Sequence, residues 1–219
     1  MPRSLSLRLE SIEESPLPNG VQEVRLVTDR GTIDCRYHDA PPGEAAVLWV
    51  FGAGGGLGGP AGGLYVRLAE RLTADRVASL RLDYRRPGDL KACVLDIVSG
   101  MAYLEKRERT RVALVGHSFG GAVVIAAAAA EPAVAGVAAL SAQIFGTEAV
   151  ADLSPRPLLL IHGASDEVLP EYCSHDIYRR ALEPKRLIIY PGCRHGLDQC
   201  RDRLDLELLG WLRDLLVKA

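Results

Sequence analysis

Six short runs between residues 46 and 190 are almost wholly apolar, and they constrain the fold more than any other feature. They cover residues 46–51, 77–82, 112–115, 134–140, 158–161 and 187–190. A strand that is apolar on both faces cannot leave either face in water, so helices must cover the sheet on both sides. Helical periods lie between these runs, at residues 64–73, 90–107, 120–130, 171–182 and 201–217. The last carries Leu204, Leu208, Leu212, Leu215 and Leu216 on one stripe. The alternation predicts a doubly wound, mostly parallel α/β sheet with helices on both faces. The first 44 residues differ. Strand-like segments at 4–10, 21–28 and 32–37 are separated by Ser15-Pro16-Leu17-Pro18-Asn19-Gly20 and by Asp29-Arg30-Gly31, which predicts an N-terminal antiparallel edge. No linker, repeat or charge block divides the chain. A single domain over 1–219 is therefore expected, with edge strands at 1–44 and a core at 45–219.

Composition narrows the function classes. The chain is 48% hydrophobic and 25% charged, with a formal net charge of -2, so no global field would gather polyanions. Nucleic acid is not an expected partner, and with only 5% aromatic residues a stacking surface is not expected either. The longest apolar run, 120–130, is too short to span a membrane and ends at Glu131-Pro132. Residues 1–10 alternate rather than form the apolar core of a signal peptide. The five cysteines are odd in number and none has C-x-x-C spacing, which fits reduced thiols and a cytoplasmic location; Cys193 reads as a small packed thiol.

The chemistry-bearing motif is Gly116-His117-Ser118-Phe119-Gly120, a G-x-S-x-G between the apolar strand at 112–115 and an alanine-rich helix. A serine there sits in a tight, exposed turn, and glycines two residues to either side let strand and helix backbones approach. The helix that starts beside Ser118 aims its amide dipoles at the site. The residues resemble the α/β-hydrolase family, in particular small lidless members related to dienelactone hydrolases and short-chain esterases. In that family an acid and then a histidine follow the serine, each on a loop after a later strand. The strand and loop His162-Gly163-Ala164-Ser165-Asp166-Glu167-Val168-Leu169-Pro170 resembles the family's H-G-x-x-D-x-x-x-P and assigns the acid to Asp166. The strand at 187–190 leads into Gly192-Cys193-Arg194-His195-Gly196, which assigns the base to His195. Glu167 and Asp198 are the competing acids; Asp198 would reverse the order. His38, His117, His162 and His175 read as structural or surface histidines.

The resemblance also implies an oxyanion hole built from two backbone N–H groups. Phe119 supplies one, and the loop Phe51-Gly52-Ala53-Gly54-Gly55-Gly56 supplies the other through Ala53, with Gly54 as the alternative. That loop resembles the family's H-G-x-G with Phe51 in the histidine position. A phosphate-cradling loop is the rival reading, but the Lys-Ser/Thr ending is missing. Asp83 and Arg85, after the strand at 77–82, are expected to brace loops rather than touch substrate. Only residues 141–156 separate the strand at 134–140 from the one at 158–161, so no lid domain is expected. Gly54, Leu64, Gln143 and Phe145 are the candidate substrate-binding residues. The implied function is hydrolysis of a carboxylic ester or thioester of a small, soluble molecule through an acyl-enzyme on Ser118, with no cofactor and no metal. An acyltransferase or peptidase using the same triad, and a non-catalytic binding protein of the same fold, remain open, and the oligomeric state is not specified.

Overall fold

The computed structural model describes residues 6–217. Nine strands form one sheet: β1 (Leu9–Pro16), β2 (Val21–Thr28), β3 (Gly31–His38), β4 (Ala45–Val50), β5 (Ala78–Leu82), β6 (Arg111–His117), β7 (Val134–Leu140), β8 (Leu158–Gly163) and β9 (Lys185–Tyr190). Five helices accompany them: α1 (Pro60–Thr73), α2 (Leu90–Lys106), α3 (Phe119–Ala130), α4 (Tyr172–Arg180) and α5 (Arg201–Leu216). The strand order is β1-β2-β3-β5-β4-β6-β7-β8-β9. Pairing is parallel from β5 through β9 and antiparallel from β1 to β3 and between β3 and β5. This is the expected fold class, an α/β sheet with an antiparallel edge.

The period of two along each strand builds two cores. Ala46, Leu48 and Val50 of β4 and Val112 and Leu114 of β6 pack on the side of α2 and α3. Val47 and Trp49 of β4 and Ala113 and Val115 of β6 pack on the side of α1 and α5. Because every β4 residue is buried, both registers of the strand must be apolar, which is the pattern its sequence carries.

Two elements differ from the sequence reading. The first strand runs over Leu9–Pro16 rather than 4–10, and residues 4 and 5 lie outside the described residues. It pairs with β2 as far as Pro16 opposite Gln22, with Arg25 ion-paired to Glu13 at 2.9 Å, and Leu7, Leu9 and Ile12 pack against the core. Helix α1 begins at Pro60, but Ala61, Gly62 and Gly63 are left-handed, so regular helix starts at Leu64 as the period indicates.

The chain leaves β4 through α1 to β5 on one side, then passes through α2 to β6 on the other. The loops after β4 and β6 therefore diverge at the C-terminal edge of the sheet, and a crevice opens at such a switch point. The loop after β5 closes one side of it. Asp83 Oδ1 accepts the Gly56 N–H at 2.7 Å, and the buried Asp96 of α2 holds the Arg85 backbone N–H at 3.0 Å and its Nε at 2.5 Å. Between β7 and β8 there is only the single-turn 3-10 helix Val150–Leu153, and no separate lid. Asp96→Ala is expected to lower the unfolding free energy by about 3–5 kcal/mol, because it leaves the Arg85 guanidinium buried without its counter-charge. A urea denaturation midpoint within error of the wild type would contradict this.

Candidate active site

Ser118 sits between β6 and α3 with φ 58° and ψ -122°, a strained left-handed conformation for a residue with a side chain. The sequence permits it through close approach on both sides. A Cβ on Gly116 would lie 2.1 Å from the Gly120 carbonyl oxygen, and one on Gly120 would lie 2.2 Å from the Phe51 carbonyl oxygen. Ser118 is half-buried, so its hydroxyl can be reached from solvent. Among the described hydrogen bonds none joins Ser118 Oγ to His195; free enzymes commonly hold this pair loosely until substrate binds.

Asp166 and His195 are brought together by the loops after β8 and β9. His195 Nδ1 lies 2.7 Å from Asp166 Oδ2, and the aspartate side chain has no exposure. The other oxygen, Oδ1, accepts the N–H groups of Val168 at 2.9 Å and Leu169 at 2.8 Å. Burial alone would raise the Asp166 pKa, but the Leu169 and Val168 amides and the His195 ring outweigh it, and the carboxyl is held below its usual range. A permanent anion is thus fixed behind one imidazole nitrogen, which makes Nδ1 the protonated atom and leaves Nε2 as a base. Glu167 touches the same histidine only through its backbone, accepting the His195 N–H at 3.3 Å, and is otherwise paired with Arg194 at 3.4 Å. Asp198 is exposed.

His162, read as structural or surface, belongs to this network. It is fully buried at the end of β8, with Nε2 3.0 Å from Asp166 Oδ2 and 2.9 Å from the Leu169 carbonyl, while Nδ1 meets Ser174 Oγ at 2.7 Å. The carbonyl can only accept, so the proton is on Nε2 and the ring donates toward the aspartate and its loop. Its place four residues before Asp166 on a strand end was the available signal. His117 also approaches the site, with Nε2 2.9 Å from the His195 carbonyl oxygen.

The glycine loop after β4 lies over the serine. A Cβ on Gly52 would meet Ser118 Cβ at 3.5 Å and Oγ at 3.8 Å. Two of the loop amides are committed, Gly55 N–H to the Gly52 carbonyl at 3.0 Å and Gly56 N–H to Asp83. The Ala53 and Gly54 amides have no partner among the described hydrogen bonds, and both residues are exposed. Phe119 is the first residue of α3, so its N–H has no intrahelical acceptor.

Of the expected wall residues, Phe145 is 70% exposed and Gln143 is half-buried with Nε2 donating to the Phe145 carbonyl at 2.9 Å. Leu64 is not a wall residue. It is fully buried in the core beneath α1, because the left-handed turn at Ala61–Gly63 directs the first regular residue of the helix onto the sheet.

The loop that carries His195 is closed by a disulfide between Cys193 and Cys200, whose Cα atoms are 5.9 Å apart. This corrects the reading of Cys193 as a packed thiol and runs against the reduced-thiol expectation. Cys35, Cys93 and Cys173 are free and buried. The spacing signals no motif; the turn at 194–200 brings the two sulfurs together. The same loop is tied to α1, whose Ala61 N–H donates to the Gly196 carbonyl at 2.7 Å.

The model of the dienelactone hydrolase family matches residues 62–205, from α1 into α5 and across the serine, aspartate and histidine loops. The chain belongs to the dienelactone hydrolase family. Its fold is shared by the dienelactone hydrolase from Anabaena variabilis, at 18% identity with 94% of this chain and 100% of that one aligned and a TM-score of 0.75. It is shared also by the esterase domain of a Rhodothermus marinus protein, at 21% identity with 89% and 98% aligned and a TM-score of 0.71. Among curated relatives, the uncharacterised Escherichia coli protein YfhR is 48% identical over 58 residues, a stretch that covers 26% of this chain and 20% of YfhR. Within this family member no helix among the described residues is long and apolar enough to cross a membrane.

Replacing Cys193 and Cys200 together with serine is expected to lower the unfolding free energy by about 2–3 kcal/mol, the chain-entropy value for so short a closed loop. Urea denaturation without reductant measures it, and an unchanged midpoint would show that the disulfide does not constrain the fold.

Proposed function

We propose that the protein is a serine esterase that cleaves carboxylic esters or thioesters of small molecules through an acyl-enzyme on Ser118. The observation that carries this reading is the Asp166–His195 pair, at 2.7 Å, on the loops beside a strained serine elbow. A serine hydroxyl is a weak nucleophile until a neutral imidazole takes its proton, and an imidazole held by a carboxylate at Nδ1 offers Nε2 for that purpose.

The steps follow from that arrangement. Ser118 Oγ attacks the carbonyl carbon while its proton passes to His195 Nε2. The carbonyl oxygen becomes an oxyanion and receives the Phe119 N–H and one of the two uncommitted loop amides, Ala53 in preference to Gly54. His195 then returns the proton to the departing alcohol or thiol, leaving the acyl group on Ser118. A water deprotonated by the same nitrogen attacks the acyl carbonyl, the carbon–oxygen bond to Ser118 breaks as His195 Nε2 gives that proton to Ser118 Oγ, and the acid leaves. Asp166 stays ionised throughout, since its pKa lies below the usual carboxylate range.

Ser118→Ala is expected to reduce kcat for p-nitrophenyl acetate by about 10⁴- to 10⁶-fold with the fold intact. A folded variant with wild-type rates would overturn the assignment. The exposed loop beside Ser118, with Ala53 and Gly54 at the surface and no lid between β7 and β8, supports a small acyl group. Each methylene buried in a tunnel would add about 0.8 kcal/mol, or about fourfold in kcat/KM. Across p-nitrophenyl esters from acetate to palmitate, kcat/KM is expected to stop rising after a few carbons. A continuous rise to the longest chain would contradict an open site.

A further inference from the structure

Three segments that are far apart in sequence meet on one buried ring. His117, the last residue of β6, is 4% exposed. Its ring centroid lies 5.3 Å from that of Phe51, at the end of β4, and 4.8 Å from that of His195, in the base loop. Its Nε2 is 2.9 Å from the His195 carbonyl oxygen, and its Nδ1 is buried without a hydrogen-bond partner among the described residues. The next residue is Ser118, so a single side chain ties the nucleophile's elbow to the backbone of the base.

The protonation state follows from burial. Removal from water pulls the His117 pKa down to about 4, with the hydrogen bond to His195 and the Asp166 charge opposing that and the His195 and His162 rings adding to it; the Phe51 side is apolar. The ring is neutral above that pH and carries one proton. A carbonyl oxygen only accepts, so the proton is on Nε2 and is donated to His195. A neutral ring also avoids a second positive charge beside an imidazolium developing on His195. Phe51, where the family's loop more often has histidine, gives this ring an apolar face to pack on.

We propose that His117 is a positioning residue for the reaction. Its Nε2–H fixes the His195 backbone, while Asp166 fixes the His195 ring, so that His195 Nε2 is aimed at Ser118. This rests on the Ser118–His195–Asp166 reading given above. The donor atom, not ring bulk, carries the role. Glutamine can bring its amide nitrogen to where His117 Nε2 lies, asparagine reaches only as far as Nδ1, and phenylalanine keeps the ring without a donor.

The test measures kcat and KM for p-nitrophenyl acetate, thermal midpoints, and rates of fluorophosphonate labelling in the wild type, Ser118→Ala, His117→Gln, His117→Asn and His117→Phe. For the Phe and Asn variants we expect kcat and the labelling rate to fall about 10- to 100-fold with KM changed by less than about twofold, and for Gln a recovery to within about threefold of the wild type. A Phe variant with wild-type kcat, a Gln variant no better than Asn, or a loss confined to KM would overturn the positioning role while Ser118→Ala remains inactive. A wild type that does not label, or an active Ser118→Ala, would overturn the triad and this role with it. If the Phe variant does not fold, the comparison of Gln with Asn decides, since both are polar and close in size.

Discussion

The backbone contact between the end of β4 and the start of α3 determines what the rest of the site can be. Gly120 lets its helix approach the Phe51 carbonyl, and Gly116 lets the strand approach the Gly120 carbonyl. Any side chain at either position would push the glycine loop, the elbow and the helix apart by more than an ångström, and the packed cores on both faces could not absorb that shift. The contact is possible only because β4 and β6 are neighbours in the sheet order and both are buried on two faces. The strain at Ser118 is stored there and is held by two cores that over-determine the strand and the helix.

Around this fixed corner the polar groups are graded by charge. Asp166 is an anion in a dry place, made tolerable by two amides and two histidines. His162 is neutral and held between Ser174 and the acid loop, and His117 is neutral because it is buried. His195 alone among these three histidines is partly exposed. Further ties, from Ala61 to Gly196, from Ser165 to Cys193 and between the two cysteines, hold the loop that carries His195.

Much of this was legible in the sequence because it is written in local pattern. Doubly apolar strands and the glycines around Ser118 are short-range signals, and the elements they mark lie within a few residues of where the structure has them, whereas Asp166 and His195 were assigned through the family resemblance. Contacts between distant segments were not legible. Cys193 and Cys200 carry no recognisable spacing, His162 and His117 look like any buried histidine until Asp166 and His195 fold against them, and Leu64 looks like a loop neighbour until the left-handed turn before it aims it inward. The edge strand β1 was displaced for the same reason, since its bounds are set by pairing with β2 rather than by its own alternation.

The most direct test of a covalent mechanism is to trap the intermediate. Rapid acid quench of the protein during turnover of a slowly deacylating p-nitrophenyl carbamate, followed by intact-mass analysis and peptide mapping, is expected to show one carbamoyl group per chain, carried by Ser118. An unmodified chain with substrate being consumed, or an adduct on any other residue, would contradict the account.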